Sequence, residues 1–177
     1  MEKSYKEYLK HITTFVFDVD GVLTDGTIMV TSEGEMYRNM NIKDGYALKT
    51  AVDRGYHVCI ISGGTNEGVR KRLQGLGIND IYLGAHHKIT ILNDYFKSKG
   101  VQSEHVLYMG DDLPDLAPMQ LVGLPSCPQD AVPEIKSICT YISHKKGGEG
   151  AVRDVIEQVL KVQGKWISDG ATSAKYD

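Results

Sequence analysis

Short runs of apolar residues alternate along the chain with longer stretches that have a helical spacing of apolar positions. The runs lack regular polar alternation, which is typical of strands buried on both faces of a sheet. They predict strands at residues 12–17, 56–61, 80–83, 106–109, 122–124 and 140–142. The intervening stretches predict helices near residues 45–54, 66–76, 87–99, 113–121, 132–137 and 149–162. Strand–helix alternation over most of the chain indicates an α/β fold, a parallel sheet with helices on both faces.

Residues 27–40 depart from this alternation. Two short apolar stretches flank Ser32-Glu33-Gly34-Glu35, which predicts a β-hairpin with a glycine-containing turn. Because the hairpin follows the first strand and its loop, we expect a small flap there and no large cap domain. We expect a single domain over residues 1–177, with a core at about residues 11–163 and an aperiodic tail at residues 164–177.

Aspartates follow two of the predicted strands directly. The first strand runs into DVDGVLTDG at residues 18–26, and the fourth into GDDLPD at residues 110–115. Asp18 and Asp20 are two apart, so they point to the same side if the strand geometry continues. An aspartate-rich turn is the alternative for one such motif. Two motifs at the carboxyl ends of parallel strands favour a shared site instead.

These carboxylates suit phosphoryl transfer. Asp18 is a candidate nucleophile, since carboxylates can form aspartyl-phosphate intermediates. Asp20 is a candidate general acid and then general base. Asp111, with Asp112 and Asp115 as further candidates, adds oxygen ligands at a second strand end, and oxygen ligands favour Mg²⁺. The cation would neutralise phosphate charge and let one anion attack another.

Two further features become informative beside a phosphate site. Ser62, Gly63 and Gly64 close the second strand, and a hydroxyl with backbone N–H groups there could hold phosphate oxygens. A plain strand–turn–helix connection remains the alternative. Lys88 lies near a helix start, where a solvated surface lysine is common, but a site with several carboxylates needs a fixed positive charge.

Composition excludes several other functions. The 177 residues carry a net charge of −3 with no basic block, which argues against nucleic acid as a partner. No apolar run is long enough to span a membrane, and the first residues lack the apolar core of a signal peptide. The three cysteines have no metal-binding or disulfide-framework spacing. We therefore expect a cytoplasmic protein with a small-molecule substrate.

Together these motifs resemble the haloacid dehalogenase superfamily of aspartyl-phosphate phosphohydrolases, which have a Rossmann-like fold. The resemblance covers roughly residues 12–163, and the first and last motifs jointly are highly specific. It implies Asp18 as nucleophile and Asp20 as acid/base. It also implies Mg²⁺ held by Asp18, the Asp20 carbonyl and Asp111, and phosphate contacts from Ser62, Gly63 and Lys88.

Three stretches resemble more closely the small cap-less branch of 3-deoxy-D-manno-octulosonate 8-phosphate phosphatases: Asn41-Ile42-Lys43-Asp44-Gly45, GGEGAVR at residues 147–153, and residues 162–165. That branch implies a role in lipopolysaccharide biosynthesis and a homotetramer whose hairpins and tails help to close neighbouring sites. Arg72 matches a family arginine that reaches a neighbour's substrate. We expect residues 147–150 to help complete a neighbour's site as well.

One position departs from the family pattern. Gly64 stands where the family often has an arginine, so a side chain that could face the sugar acid is missing. Two alternatives stay open at this point. One is a phosphatase for the nine-carbon sugar acid 2-keto-3-deoxy-D-glycero-D-galacto-nononate 9-phosphate. The other is a non-catalytic phosphatase-like assembly module.

Overall fold

The computed structural model describes residues 4–167. Its strands are β1 (Thr14–Phe17), β2 (Met29–Val30), β3 (Met36–Tyr37), β4 (His57–Ile61), β5 (Asp80–Tyr82), β6 (Val106–Met109), β7 (Leu124–Cys127) and β8 (Tyr141–Ile142). Six of them form one sheet in the order β5-β4-β1-β6-β7-β8, with every neighbouring pair parallel. Strands β2 and β3 pair antiparallel as the separate hairpin. The predicted α/β fold is confirmed.

Helices cover both faces of the sheet. They are α1 (Tyr5–Leu9), α2 (Ile42–Asp53), α3 (Glu67–Gly75), α4 (Lys88–Lys99), α5 (Leu116–Met119), α6 (Pro133–Ile138) and α7 (Ala151–Val162). Alternate residues of β1 explain why two layers form: Phe15 and Phe17 point into a core cluster shared with α2, α3 and α7, whereas Val16 points into a cluster shared with α4 and α6. The strands are therefore buried on both sides, as their apolar runs predict.

The strand order reverses beside β1, and this reversal positions the site. The chain runs outward from β1 to β4 and β5, then returns to β6 on the other side. In the register of the sheet, Phe17 lies beside both Ile60 and Met109, so the carboxyl ends of the three central strands are nearly level. Ligands of such sheets bind at this switch point.

Most differences from the predicted elements involve proline or glycine. Strand β7 begins at Leu124 and extends to Cys127, although Pro125 breaks the apolar pattern; its carbonyl accepts a hydrogen bond from Thr140 N. The helix predicted at residues 113–121 contains Pro114 and Pro118, and it divides into a 3₁₀ turn and the short α5. Helix α1 is not among the elements that the apolar spacing predicts.

Helices α2 and α7 pack together and support the loop that follows β1. The Asn41 side chain caps α2 and donates a hydrogen bond to the Gly148 carbonyl at 3.1 Å. The α7 N-cap, Gly150, offers no side chain, and the buried Asp44 accepts a hydrogen bond from Arg153 N at 2.8 Å in its place. The stretch at residues 41–45 therefore joins two helices.

The segment after α7 returns to α2. The guanidinium of Arg153 lies 5.6 Å from the centroid of the Tyr46 ring and 5.3 Å from that of the Trp166 ring. Residues 168–177 of the predicted tail lie outside the described residues. Among residues 4–167, no helix is long and apolar enough to cross a membrane.

Candidate active site

Asp18 lies at the carboxyl end of β1 and is 8% exposed. The backbone N–H of Val19 donates a 2.6 Å hydrogen bond to one carboxylate oxygen, and Lys88 Nζ lies 2.7 Å from the other. Burial, together with the negative charge of Asp115, raises the pKa of Asp18 to about 7. Both carboxylate oxygens of the predicted nucleophile therefore have a partner, and one of these partners is the positively charged Lys88.

Lys88 is bound between two aspartates. Its ammonium group donates to Asp115 Oδ1 at 2.8 Å as well as pairing with Asp18, and the whole residue is 5% exposed. Although burial opposes the charged form, the nearby charges of Asp18 and Asp115 raise the pKa of Lys88. Lys88 therefore stays charged, as its predicted role requires.

Asp115 is fully buried and its hydrogen bonds are satisfied by the protein. Its Oδ1 also accepts from the Tyr108 hydroxyl at 2.9 Å, and its Oδ2 accepts from Asp111 N at 3.2 Å. Asp115 thereby fixes both Lys88 and the backbone of Asp111. We call Asp18, Lys88, Asp111 and Asp115 the cavity floor.

Asp111 lies against the loop that follows β1. Gly21 has a φ of +82°, and a Cβ there would run into the Asp111 carboxylate. Burial, with the negative charges of Asp18 and Asp115, raises the pKa of Asp111 to about 7. The close approach explains why the DVDG motif needs glycine at its fourth position.

The floor has the donor set of a site for a hard divalent cation. One carboxylate oxygen from each of Asp18, Asp111 and Asp115 lies within 4.8 Å of the others. Asp115 already accepts hydrogen bonds from three donors. Asp18 and Asp111 differ, because their pKa values are raised: the positive charge nearby does not offset the effect of burial and of the neighbouring carboxylates. The residues present therefore fit a cation bound chiefly by Asp18 and Asp111.

A cavity of about 480 Å³ opens above the floor. It is lined by residues that follow β1, β4, β5 and β6: Asp18, Asp20, Gly21, Gly26, Ser62, Gly63, Gly64, Ala85, His86, Lys88, Asp111, Asp112 and Pro114. Ser62 is buried, and its hydroxyl accepts a hydrogen bond from Gly64 N at 3.3 Å. Of the single residues predicted for the site, only Asp115 and Arg72 do not line this cavity.

Asp20 forms an ion pair that sequence reasoning missed. Arg38 Nε donates to Asp20 Oδ1 at 2.6 Å, and Arg38 Nη2 donates to Oδ2 at 3.1 Å. Arg38 directly follows β3 of the hairpin, so no local signal in the sequence links it to Asp20. We call Asp20, Arg38 and Gly64 the hairpin wall.

Arg72 lies elsewhere. It lines a second cavity of about 330 Å³ between the hairpin and α3, together with Tyr37, Arg38 and Met40. A larger cavity of about 870 Å³ lies between the start of α2 and α7, and Asp18, Asp20 and Asp111 do not line it. Arg72 thus stands outside the cavity above the floor.

The segment at residues 147–150 packs behind the loop that follows β1. A Cβ on Gly147 would run into the Gly21 carbonyl, and one on Gly148 would lie 2.6 Å from Asp25 N. Glu149 is exposed. The glycines of this motif therefore serve close backbone contact.

Known proteins match the chain over most of its length. The model of haloacid dehalogenase-like hydrolases matches residues 77–156. A 3-deoxy-D-manno-octulosonate 8-phosphate phosphatase of Salmonella typhi is 37% identical over 156 residues, or 88% of this chain and 83% of that protein. The crystal structure of such a phosphatase from Yersinia pestis has a TM-score of 0.90 at 32% identity, covering 94% of this chain and 90% of that one.

A further solved structure contains ligands. It is the 3-deoxy-D-manno-octulosonate 8-phosphate phosphatase from Moraxella catarrhalis in complex with a magnesium ion, a phosphate ion and a KDO molecule. Its TM-score is 0.88 at 36% identity, and the match covers 91% of this chain and 92% of that chain.

Proposed function

Because the chain belongs to the 3-deoxy-D-manno-octulosonate 8-phosphate phosphatases, a family of haloacid dehalogenase-like hydrolases, we propose that it hydrolyses the phosphate ester of that eight-carbon sugar acid. The observation that carries the proposal is the cavity floor, where Asp18 and Asp111 converge with a charged Lys88 at the strand-order reversal. This arrangement serves phosphomonoester hydrolysis and argues against a non-catalytic module.

The chemistry follows from the positions of Asp18 and Asp20. An Asp18 oxygen attacks phosphorus as the bond from phosphorus to the sugar oxygen breaks, and Asp20 gives that oxygen a proton. Water then attacks the phosphorus of the aspartyl phosphate and loses a proton to Asp20. The phosphorus–Asp18 bond breaks, which restores the Asp18 carboxylate and releases inorganic phosphate.

The remaining residues of the floor and of the strand ends bind the phosphoryl group that is transferred. Lys88, the Ser62 hydroxyl and the backbone N–H of Gly63 are proposed to hold phosphate oxygens. Mg²⁺, held by Asp18, Asp111 and the Asp20 carbonyl, would supply the charge neutralisation that lets a carboxylate approach a phosphate. Turnover should vanish with a chelator and return with Mg²⁺.

The substrate assignment can be tested directly. We expect a larger kcat/KM for 3-deoxy-D-manno-octulosonate 8-phosphate than for the nine-carbon 9-phosphate, by roughly tenfold or more. A preference for the nine-carbon compound would overturn the substrate while leaving the phosphatase intact. Failure to release phosphate from either compound, or from 4-nitrophenyl phosphate with Mg²⁺, would remove the enzymatic assignment altogether.

We also propose that the protein works as a homotetramer. The hairpin is too small to enclose a sugar acid, and its apolar side chains face outward, with Met29 68% exposed and Val30 59% exposed. Apolar patches of this kind are typical of protein interfaces. Arg72, at the edge of the hairpin, and the exposed part of residues 147–150 are proposed to complete the site of a neighbour.

Shared sites predict complementation between two inactive variants. Mixed oligomers of Asp18→Asn and Arg72→Ala subunits contain some sites free of both lesions, so activity should exceed the sum of the parents after subunit exchange. No gain despite proven exchange would place Arg72 outside the neighbour's site. Light scattering that shows a fully active monomer would refute the tetramer.

A cytoplasmic location completes the proposal. Cys59, Cys127 and Cys139 are all free thiols, which suits a reducing compartment. Retention of the protein with cytoplasmic markers on cell fractionation is the expected result.

A further inference from the structure

The ion pair of the hairpin wall joins two parts of the chain that the fold otherwise leaves nearly separate. Asp20 belongs to the loop after β1, whereas Arg38 belongs to the hairpin. The Arg38 fork contacts both carboxylate oxygens, which fixes the plane of the carboxylate as well as its distance. A lysine, with one nitrogen, cannot impose that plane.

Arg38 lies behind Asp20 as seen from the catalytic cavity. The Asp20 side chain is 39% exposed and lines the cavity, whereas the Arg38 side chain is only 10% exposed. A carboxylate has about four lone-pair positions, and the fork uses two of them. The others remain free to face a leaving-group oxygen in the cavity.

Gly64 leaves the space that this arrangement needs. A Cβ at position 64 would lie 3.4 Å from Asp20 Oδ2 and 3.5 Å from Arg38 Nη2. A long side chain there would meet the two partners where they join. The hairpin backbone is held at the same place, because Asn66 Nδ2 donates to the Met36 carbonyl at 2.9 Å.

From these contacts we propose that Arg38 is a positioning residue that orients Asp20 toward the leaving-group oxygen, so that the hairpin sets the geometry of proton transfer. The inference rests on the proposed phosphatase function. Arg38 touches Asp20 rather than the reacting atoms, so it acts on the step in which Asp20 gives a proton to the sugar oxygen. Misplacing a catalytic group by about 1 Å can cost on the order of 10²-fold in rate.

Comparing substrates whose leaving groups differ in their need for a proton distinguishes a positioning role of Arg38 from a purely structural one. An alkoxide needs a proton as it departs, whereas 4-nitrophenolate leaves without one, so orienting Asp20 matters for sugar phosphates and little for aryl phosphates. Arg38→Met should lower kcat/KM for the sugar acid 8-phosphate roughly 10- to 100-fold. For 4-nitrophenyl phosphate it should lower kcat/KM less than about threefold. The comparison uses kcat/KM because this constant reports the steps up to departure of the leaving group, whereas kcat also includes the later attack of water, in which Asp20 accepts a proton for both substrates.

Three further variants define the test. Arg38→Lys should recover only part of the lost kcat/KM, because the single nitrogen of lysine cannot contact both Asp20 oxygens in the same way. In an Asp20→Asn background, Arg38→Met should cause no further loss. Arg70→Met removes an arginine that pairs with Glu67 on α3, and it should leave both activities unchanged. Thermal melting curves establish that each variant is folded.

The outcomes are distinct. Equal losses on aryl and sugar phosphates, a faster Arg38→Met enzyme, or a further loss in the Asp20→Asn background would each overturn the role of Arg38. If the eight-carbon substrate is not hydrolysed, the proposed function fails, and the comparison is made with the sugar phosphate that the wild type hydrolyses fastest. An unequal loss on that compound would still support the inference.

Discussion

The cavity floor and the hairpin wall both depend on ion pairs between aspartate and a basic residue, but they differ in what surrounds the pair. In the floor, Asp115 is fully buried and accepts hydrogen bonds from Lys88, Tyr108 and the Asp111 backbone. In the wall, the Asp20 side chain is 39% exposed, and within residues 4–167 the hydrogen bonds to its carboxylate come from Arg38. The arginine of the wall follows a hairpin whose two strands have only two residues each.

This difference predicts how each part responds to change. Breaking a buried ion pair leaves an uncompensated charge and costs several kcal/mol, whereas a partly exposed pair contributes little to stability. A substitution that breaks the buried Lys88–Asp115 pair of the floor should therefore damage both folding and chemistry. One in the wall should damage chemistry alone.

The largest expected effect is at the floor. Asp18→Asn should abolish turnover, because an amide cannot attack phosphorus. The protein should still fold, because Lys88 keeps its ion pair with Asp115 when the pair with Asp18 is lost. Steady-state assays with inorganic phosphate detection measure this. A folded variant that keeps a tenth of the wild-type kcat would disprove the aspartyl-phosphate mechanism.

The next effect separates the two regions by stability. Asp115→Asn should lower the free energy of unfolding by ~3 kcal/mol in urea titrations, because the buried Lys88 loses one of its charged partners. Arg38→Met should lower it by less than about 1 kcal/mol. Asp112→Asn, an exposed cap in the same motif, is the matched control and should change it by less than about 0.5 kcal/mol. Equal decreases in the free energy of unfolding for Asp115→Asn and Arg38→Met would show that the floor and the wall do not differ in their contribution to stability.

Mg²⁺ should stabilise the floor in a pH-dependent way. Burial raises the pKa values of Asp18 and Asp111 to about 7 in the folded protein, above the usual aspartate value of 3.8. Between pH 3.8 and about pH 7, the folded state therefore binds more protons than the unfolded state. Without Mg²⁺, stability should therefore fall as pH rises from about 4 to about 7.

Melting curves at two pH values test this expectation. Mg²⁺ at a hundred times its Kd should raise Tm by roughly 5 to 10 °C at pH 7.5, and by less at pH 5, where both carboxyls are largely protonated. Asp111→Asn should raise Tm in the absence of Mg²⁺ and suppress the Mg²⁺ effect. An identical Mg²⁺ shift at both pH values would contradict the assignment of the floor as the cation site.

The smallest effect is expected from a glycine of the wall. Gly64→Ala places a methyl group at ordinary contact distance from Asp20 and Arg38, so the free energy of unfolding should change by less than about 0.5 kcal/mol. Gly21→Ala, at a φ of +82° and against the Asp111 carboxylate, should be far more harmful. Chemical denaturation of the two variants side by side measures the contrast.

The sequence predicts the floor better than the wall, and the reason is physical. Asp18 and Asp111 each follow an apolar strand, so the geometry of a parallel sheet brings them together. The Arg38–Asp20 pair depends on the path of a hairpin with two-residue strands, which no periodicity specifies. The stretch at residues 41–45 resembles the eight-carbon phosphatases in sequence, and in the structure its Asn41 and Asp44 join α2 to α7. Contacts that depend on where two distant helices meet leave no local pattern.

The contact between Gly147 and the loop at Gly21 predicts when, during synthesis, the protein becomes active. The loop that carries Asp20 and Gly21 emerges from the ribosome early, but the backbone that packs behind it arrives more than a hundred residues later, just before α7. A nascent chain that already contains every proposed catalytic residue should therefore remain inactive until α7 has been released from the exit tunnel and docked against α2. We therefore expect phosphatase activity to appear only late in translation.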